Sequence, residues 1–127
     1  AHKMAEFLLN SGLKIDQFIT SPALRAKTTC GIFADKYQKN YNEAPDLYHA
    51  QEKEFINVIS NSDESADSVA IFSHNEGISE FASNLCGDDF QFKTCAVAIF
   101  ELNSENWSGF KKNPISLKEY ITPKHLQ

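Results

Sequence analysis

A continuous apolar run, Ser-Val-Ala-Ile-Phe-Ser at residues 68–73, constrains the fold more than any other segment of the sequence. It has the length of a strand and lacks polar alternation, as a parallel strand covered on both faces does. The next residues repeat apolar side chains at the spacing of one helix face, and Gly87 supplies a left-handed stop. The pattern predicts a central parallel strand followed by a helix over residues 76–86.

The same order of strand and helix occurs earlier in the chain. Residues 15–20 form a short apolar run that predicts a buried strand, after a first helix that ends at Gly12. Ser21 is a natural N-cap and Pro22 suits the first helical position. We therefore expect a second helix that begins here and runs to about Lys39.

The middle of the chain has a weaker pattern. Residues 40–45 are polar and predict a loop, which leads to a brief extended piece near Asp46-Leu47-Tyr48. Apolar spacing over residues 55–59 indicates another helix, and the polar cluster at residues 61–65 ends it.

The C-terminal part predicts a hairpin at the edge of the sheet. Residues 96–100 and 107–111 have the composition of two strands, joined by a polar turn at residues 103–106. Residues from Pro114 onward are predicted as a tail packed on the domain. The elements together predict an α/β fold, a three-layer sandwich whose mostly parallel central sheet has helices on both faces and an antiparallel edge hairpin.

Size, charge and cysteine content restrict the class of protein. The 127 residues, 42% of them hydrophobic, can bury one core, so residues 1–127 are predicted as a single domain and a monomer. A formal charge of −5 without a basic stripe disfavours a nucleic-acid partner. No apolar stretch approaches the roughly 20 residues of a membrane span, and no signal pattern is present. Three cysteines without paired spacing fit a reducing compartment, so we expect a cytoplasmic protein with no membrane partner.

The first residues predict a helix that lacks the usual signals of a helix N-terminus. Ala1 has no capping residue before it, and His2 and Lys3 bring positive charge to the positive end of the helix dipole. We therefore expect that further residues precede Ala1 in the natural protein.

Two junctions between a strand and a helix carry the candidate functional side chains. Ligands of open α/β sheets bind beyond the carboxyl ends of the strands, where helix N-termini offer unsatisfied N–H groups. Arg25 lies in the first helical turn, where the dipole disfavours a cation unless an anion binds, and arginine suits bidentate phosphate binding. His74 directly follows the apolar strand, where an imidazole can donate to a phosphoryl oxygen or transfer protons.

Both junctions also have ordinary explanations, which the sequence leaves open. Arg25 could be an exposed side chain in a surface ion pair, and His74 could be a buried histidine bonded to the backbone. The other histidines, His2, His49 and His125, lack metal-ligand spacing, so we expect neither a metal nor a cofactor. The sequence also lacks a Gly-x-Ser-x-Gly elbow and a P-loop.

Three segments in the same order resemble the histidine phosphatase superfamily, and in particular its short SixA-type phosphohistidine phosphatase branch. They are Ser-Pro-Ala-Leu-Arg-Ala-Lys-Thr-Thr at residues 21–29, Leu-Tyr-His-Ala at 47–50 and Ile-Phe-Ser-His-Asn at 71–75. The likeness extends over nearly the whole chain. It implies a metal-independent phosphatase with a histidine nucleophile in an Arg-His-Gly motif at the end of the first strand. No such motif occurs here, which agrees with the expected residues before Ala1.

The resemblance also implies roles for particular residues. Arg25 matches the second phosphate-binding arginine of the family, and His74 matches its second histidine, which contacts the transferred phosphoryl group. We expect Ser21 and Asn75 in the same phosphate pocket. His49 and Glu52 are expected at its rim. Asp46, Glu52 and Glu54 are weak candidates for a general acid.

The implied substrate is phosphohistidine in a protein or a related small phosphomonoester, in signal transduction. An imidazole leaves more easily than an alkoxide, which favours the phosphoprotein. An alternative is a non-catalytic phosphate-binding module of the same fold. A flavodoxin-like receiver ranks last, because the first predicted strand ends in Thr-Ser-Pro rather than in an acidic phosphate acceptor.

Overall fold

The computed structural model describes residues 1–87, 91–92, 96–102, 106–110 and 115–126. In this part of the chain the α-helices are α1 (His2–Asn10), α2 (Leu24–Lys36), α3 (Glu52–Ser60) and α4 (Asn75–Cys86). The strands are β1 (Gln17–Thr20), β2 (Asn42–Glu43), β3 (Val69–Phe72), β4 (Val97–Leu102) and β5 (Ile115–Ile121). Short 3-10 turns occupy Pro45–Leu47, Trp107–Gly109 and Pro123–Leu126.

The strands form a parallel sheet and an antiparallel pair. In the parallel sheet the order is β2-β1-β3, and β1 pairs with β3 in a register that places Thr20 opposite Phe72. Strands β4 and β5 pair antiparallel, with an irregularity between Ile99 and Phe100. The predicted parallel sheet and antiparallel hairpin are both confirmed.

Alternate residues of β1 point into two separate hydrophobic cores. Phe18 is fully buried in a cluster with residues of α1 and α2, among them Met4 and Phe33. Its neighbour Ile19 faces the opposite cluster, to which α3 and α4 contribute residues such as Phe55. Because successive side chains of a strand point to opposite faces, one helix pair covers each face of the sheet. This arrangement is the predicted three-layer sandwich.

Strand β3 differs from its prediction in one respect. It was expected to be central and covered on both faces, yet within the described residues it forms an edge of the three-stranded sheet and its side chains are half-buried. The reason is that it pairs with β1 on one side only. Strand β4 belongs to the other pair but shares both cores with β3, since Ala70 and Val97 pack on one cluster and Ile71 and Leu102 on the other.

The ends of α2 also differ from the prediction. Its N-cap is Ala23 in an extended conformation, so Ser21 is not the N-cap, and its hydroxyl instead accepts a hydrogen bond of 3.2 Å from the Ala23 amide. The helix ends at Lys36 rather than near Lys39, because Gln38 adopts a positive φ of 56°. A left-handed residue cannot continue a right-handed helix.

The extended piece predicted at residues 46–48 is wrong. The extended residues are Asn42 and Glu43, which pair with the end of β1, and Pro45–Leu47 is a 3-10 turn. The turn carries the Leu47 side chain into the core, where it is fully buried.

The predicted partner strand of the hairpin is also wrong. Ile115–Ile121, expected as a tail, is the strand that pairs with β4, whereas Trp107–Gly109 is a 3-10 turn. The side chain of Asn106 accepts from the Gly109 amide, and the Trp107 indole donates to the Ala66 carbonyl at 2.9 Å, so these bonds hold the segment as a turn. Most of the predicted turn, residues 103–105, lies outside the described residues.

The remaining helices follow their predictions. Helix α4 ends at Gly87, whose φ of 77° is the left-handed stop expected from the sequence. No helix among the described ranges has the length and apolar content that crossing a membrane requires.

Candidate functional site at the carboxyl ends of the parallel strands

The candidate site lies where β1 and β3 end side by side. Thr20 and Phe72 are register partners in the parallel sheet. The pairing continues for one step beyond β1, since the Ser21 amide donates a hydrogen bond of 2.9 Å to the Phe72 carbonyl. The segment leading to Arg25 and the segment leading to His74 therefore leave the sheet next to each other.

The segment after β1 is a compact, buried turn. Thr20 and Ser21 are 0% and 1% exposed, and the Thr20 hydroxyl donates to the Ser21 carbonyl at 3.0 Å. With its own hydroxyl engaged by the Ala23 amide, Ser21 shapes the turn that leads into α2. This turn places Arg25 at the second residue of the helix, in the first turn as expected.

Arg25, the only arginine of the sequence, is exposed at this end of α2. The ion pairs found among the described residues do not include it. The nearby cation Lys27 is instead paired with Glu43, at 3.8 Å. The surface ion pair that would explain Arg25 as a structural residue is thus absent from the described part of the chain. An anion bound here would offset the unfavourable placement of a cation at a helix N-terminus.

His74 is half-buried at the N-terminus of α4, where it is the N-cap residue. Its Nδ1 atom lies 3.3 Å from the hydroxyl oxygen of Ser73, and that hydroxyl donates to the Leu47 carbonyl at 3.2 Å. Because a hydroxyl has one proton to donate, Ser73 must accept from Nδ1–H. The Nε2 atom is therefore the nitrogen left for a ligand, and it donates to an anion when it carries a proton.

Gly77 allows the imidazole of His74 to lie against the first turn of α4. A Cβ atom at this position would stand 2.6 Å from His74 Cε1 and 2.8 Å from His74 Nε2. It would also meet the Ala50 carbonyl at 2.7 Å. Contacts this short exclude any side chain at residue 77 without displacement of the ring. Glycine is required here for space.

The loop at residues 47–50 forms the neighbouring wall of the site. The Ala50 amide donates to the Leu47 carbonyl at 3.4 Å, and the φ and ψ of Tyr48, −73° and 118°, with a φ of 58° at His49, are those of a type II turn. The exposed His49 ring lies with its centre 6.3 Å from the ring centre of His74, at an interplanar angle of 77°. The loop thus brings His49, predicted at the rim, next to His74.

The acidic candidates of the same region lie elsewhere. Glu54 accepts from the Gln51 amide at 2.8 Å in the capping box of α3. Glu52 is exposed in the first turn of that helix. Asp46 lines a cleft of about 560 Å³ with residues of α3, and a second cleft of about 360 Å³ lies beside Tyr41. Neither cleft is lined by Arg25 or His74.

Two neighbours of His74 were missed by the sequence analysis. Ser73 fixes the imidazole through Nδ1, and Gly77 provides the space it occupies. A hydroxyl directly before the histidine and a glycine at the third helical residue were the available signals. The side chain of Asn75, predicted in the phosphate pocket, lies outside the described residues. No group of three histidine, cysteine or acidic side chains in the described ranges could hold a metal ion.

Comparisons with known proteins identify the fold. No family model and no curated protein matches the sequence. Among solved structures, the protein histidine phosphatase SixA complexed with tungstate has a TM-score of 0.75 and 22% identity, covering 99% of this chain and 80% of the other. A structure assigned as the phosphohistidine phosphatase SixA of Agrobacterium tumefaciens has a TM-score of 0.77 and 17% identity, over 96% of this chain and 79% of that one.

A third structure, assigned as SixA of Nakamurella multipartitia, has a TM-score of 0.81 and 16% identity, over 97% of this chain and 80% of the other. All three comparisons span nearly the whole chain. The chain therefore has the SixA fold, as the sequence motifs predicted.

Proposed function

We propose that this chain carries the phosphate-binding half of a metal-independent, SixA-type histidine phosphatase. Its substrate is phosphohistidine in a protein or a related phosphomonoester, and the reaction passes through a phosphohistidine intermediate. We further propose that the protein is a monomer, lies in the cytoplasm and acts in signal transduction.

One observation carries the proposal, the pairing of the two strands whose ends lead to Arg25 and His74. Thr20 and Phe72 are register partners, and the Ser21 amide bonds to the Phe72 carbonyl. The guanidinium follows Thr20 by five residues and the imidazole follows Phe72 by two. Both donors thus come from the same edge of the sheet, where ligands of α/β proteins bind.

The chemistry of the two side chains fits phosphoryl transfer. Negative charge spreads over the equatorial oxygens in the transition state, and fixed positive donors stabilise it. Arg25 has no competing carboxylate among the described ion pairs, and His74 has Nε2 free because Nδ1 is engaged by Ser73. Tungstate, the anion in one of the similar structures, is a tetrahedral oxyanion like phosphate, which supports an oxyanion site in this fold.

The nucleophile belongs, in this proposal, to a strand that precedes Ala1 and lies between β3 and β4. The two strands share both hydrophobic cores, yet the described residues show no hydrogen bonding between them. The half-buried apolar residues of β3 suit a strand with neighbours on both sides. An inserted parallel strand would end beside His74, where its last residues reach the same anion.

The surroundings of the site favour a large substrate. Leu24, next to Arg25, is 77% exposed, and Tyr48, next to His49, is 53% exposed. Aromatic side chains are enriched where proteins contact one another, so the exposed Tyr48 ring supports a protein substrate. A phosphohistidine side chain on a protein also needs less acid assistance than an alkyl phosphate.

The test measures phosphate release by the full-length protein from a phosphohistidine protein and from small phosphomonoesters, with a chelator present throughout. We expect activity that resists the chelator and falls at least about 100-fold in His74→Ala. Acid quenching during turnover should trap an acid-labile phosphoenzyme. Tungstate binding without any turnover would instead support the non-catalytic phosphate-binding module. A protein that shows no tungstate binding and no turnover would contradict both functions.

A further inference from the structure

We propose that His49 is the general acid that protonates the leaving group, so that the site uses one histidine for the phosphoryl oxygens and another for the departing atom. This inference rests on the proposed phosphatase function and adds a residue and a selectivity to it. The observation behind it is the contact between the His49 and His74 rings, whose centres are 6.3 Å apart.

The distance between the rings fits a shared phosphate ester. A hydrogen bond from His74 to a phosphoryl oxygen spans about 2.8 Å, and the leaving atom lies two covalent bonds beyond that oxygen. The ring of His49 stands at this distance from that of His74 and is itself exposed. It is thus placed to reach the leaving atom while His74 holds the phosphoryl oxygens.

The backbone of His49 is held in a conformation that glycine prefers. It occupies the third position of a type II turn with a φ of 58°, a conformation that residues other than glycine and asparagine seldom adopt there. Gln38, the other non-glycine residue with a positive φ among those described, ends a helix, which is an ordinary place for this conformation. At His49 the positive φ follows from the type II turn, which places a non-glycine residue in a strained conformation next to His74, and strained residues of this kind cluster at functional sites.

The ring of His49 is oriented by its neighbour. Its centre lies 4.4 Å from the centre of the Tyr48 ring, at an interplanar angle of 73°. The imidazole of His49 thus has ring neighbours in both Tyr48 and His74. A general acid needs such positioning, because proton transfer requires hydrogen-bond distance to the departing atom.

The described acidic side chains of the same loop and helix do not compete for this role. Glu54 is engaged by the Gln51 amide, and Asp46 lines the cleft beside α3. Glu52 lies in the first turn of α3 and has no contact with the histidine pair among those described. His49 is the titratable side chain that the loop brings to His74.

Phosphoryl transfer to the nucleophile and hydrolysis of the phosphoenzyme are two successive steps. The nucleophilic nitrogen forms a bond to phosphorus, and the bond from phosphorus to the leaving oxygen or nitrogen breaks with its electron pair on that atom. The leaving atom takes the proton of the His49 imidazolium, which becomes neutral imidazole. In the second step His49 accepts a proton from water as the water oxygen attacks phosphorus, which releases the nucleophile, inorganic phosphate and a reprotonated His49.

The test uses His49→Gly in the full-length protein, with two substrates that differ in leaving group. Glycine suits the positive φ, so the variant should fold at least as well as the parent. We expect kcat/KM for an alkyl phosphate, which reports only the steps up to leaving-group departure, to fall about 100- to 10,000-fold, the range of general acid catalysis. The kcat/KM for 2,4-dinitrophenyl phosphate, whose leaving group needs no proton, should change less than about 3-fold. Added imidazole should restore part of the lost activity.

The matched control is Gln38→Gly, which removes the other positive-φ side chain far from the site and should leave turnover of both substrates unchanged. Equal losses of kcat/KM on the two substrates in His49→Gly would indicate a positioning role and overturn the inference, as would no loss on either. A parent protein that hydrolyses neither substrate would instead overturn the proposed phosphatase function, and this inference with it.

Discussion

The backbone amide of Ser21 donates a hydrogen bond of 2.9 Å to the carbonyl of Phe72, one residue beyond the last register pair of β1 and β3. This bond ties the turn that precedes Arg25 to the strand that precedes His74. Two residues that are 49 positions apart in sequence thereby start from one edge of the sheet.

Replacing Arg25 should separate function from stability. Arg25→Ala removes a cation from the first turn of α2, so we expect the free energy of unfolding to rise by about 0.3–1 kcal/mol. Tungstate affinity should fall about 10- to 100-fold, the loss of a charged hydrogen-bonding group. Urea unfolding and isothermal titration with tungstate measure the two quantities.

Arg25→Lys tests whether the two parallel N–H donors of the guanidinium are needed. It keeps the charge but loses the parallel pair of donors, so its affinity should lie between those of the parent and the alanine variant. Lys27→Ala is the control for charge alone, because Lys27 lies in the same helical turn but pairs with Glu43. A loss of affinity in Lys27→Ala as large as that in Arg25→Ala would mean that the site senses only general positive charge.

Gly77→Ala should disturb the position of His74. The new Cβ atom would overlap the imidazole and the Ala50 carbonyl at distances below 3 Å, so the ring or the loop must move. We expect phosphatase turnover to fall at least about 10-fold and the free energy of unfolding to drop by about 1–3 kcal/mol. Steady-state kinetics and urea unfolding test this result.

Gly31→Ala is the matched control for that substitution. Gly31 lies inside α2, and a Cβ atom there would meet only the Tyr41 ring at an ordinary 3.8 Å. Alanine should therefore raise the free energy of unfolding by about 0.5–1 kcal/mol and leave turnover unchanged. If Gly77→Ala also left turnover unchanged, the close contact between residue 77 and His74 would not contribute to catalysis.

The hydroxyl of Ser73 should matter through the tautomer of His74. Ser73→Ala removes the acceptor for Nδ1–H, so we expect turnover to fall about 10- to 100-fold with little change in unfolding free energy. Ser68→Ala is a fitting control, since its hydroxyl donates to the Lys14 carbonyl at 2.8 Å beyond the opposite end of β3. Nuclear magnetic resonance of the His74 ring nitrogens should show Nδ1 losing its proton preference in Ser73→Ala alone.

The alternation of strands and helices could be predicted because burial determines the local spacing of apolar residues in the sequence. Strand β3 is apolar at each residue, and Gly87 marks the end of α4 with the conformation that only glycine adopts freely. The position of β5 could not be predicted in this way. Its exposed residues, such as Lys118, which pairs with Glu101 of β4 at 3.0 Å, look polar, and only pairing with a distant strand makes them part of a sheet.

The candidate site could also be predicted only in part. Arg25 and His74 could be found because each follows a strand at a helix start, a feature visible in the sequence. The importance of Gly77 could not, since it depends on contacts with a ring and with the carbonyl of Ala50 in another loop. Likewise, the approach of His49 to His74 depends on a turn whose conformation its own sequence disfavours.

Cys30 provides a test of the core beneath α2. It is fully buried, and burial raises the pKa of its thiol from 9.0 to about 12. Since the thiolate is the reactive form, iodoacetamide should leave Cys30 unmodified in the folded protein at neutral pH and modify it after unfolding. Mass spectrometry of the peptide that contains Cys30 distinguishes the two states.

The same pKa predicts how this thiol couples stability to pH. Below pH 9.0 the thiol is protonated in both states and adds no pH dependence, whereas between pH 9.0 and about 12 only the unfolded chain loses the proton. Unfolding then releases a proton, so stability must fall as the pH rises through this range. Comparing Cys30→Ala with the parent isolates the effect, because the variant lacks the group. The free energy of unfolding of the parent should fall more steeply above pH 9.0 than that of the variant, and parallel curves would contradict a buried, protonated thiol.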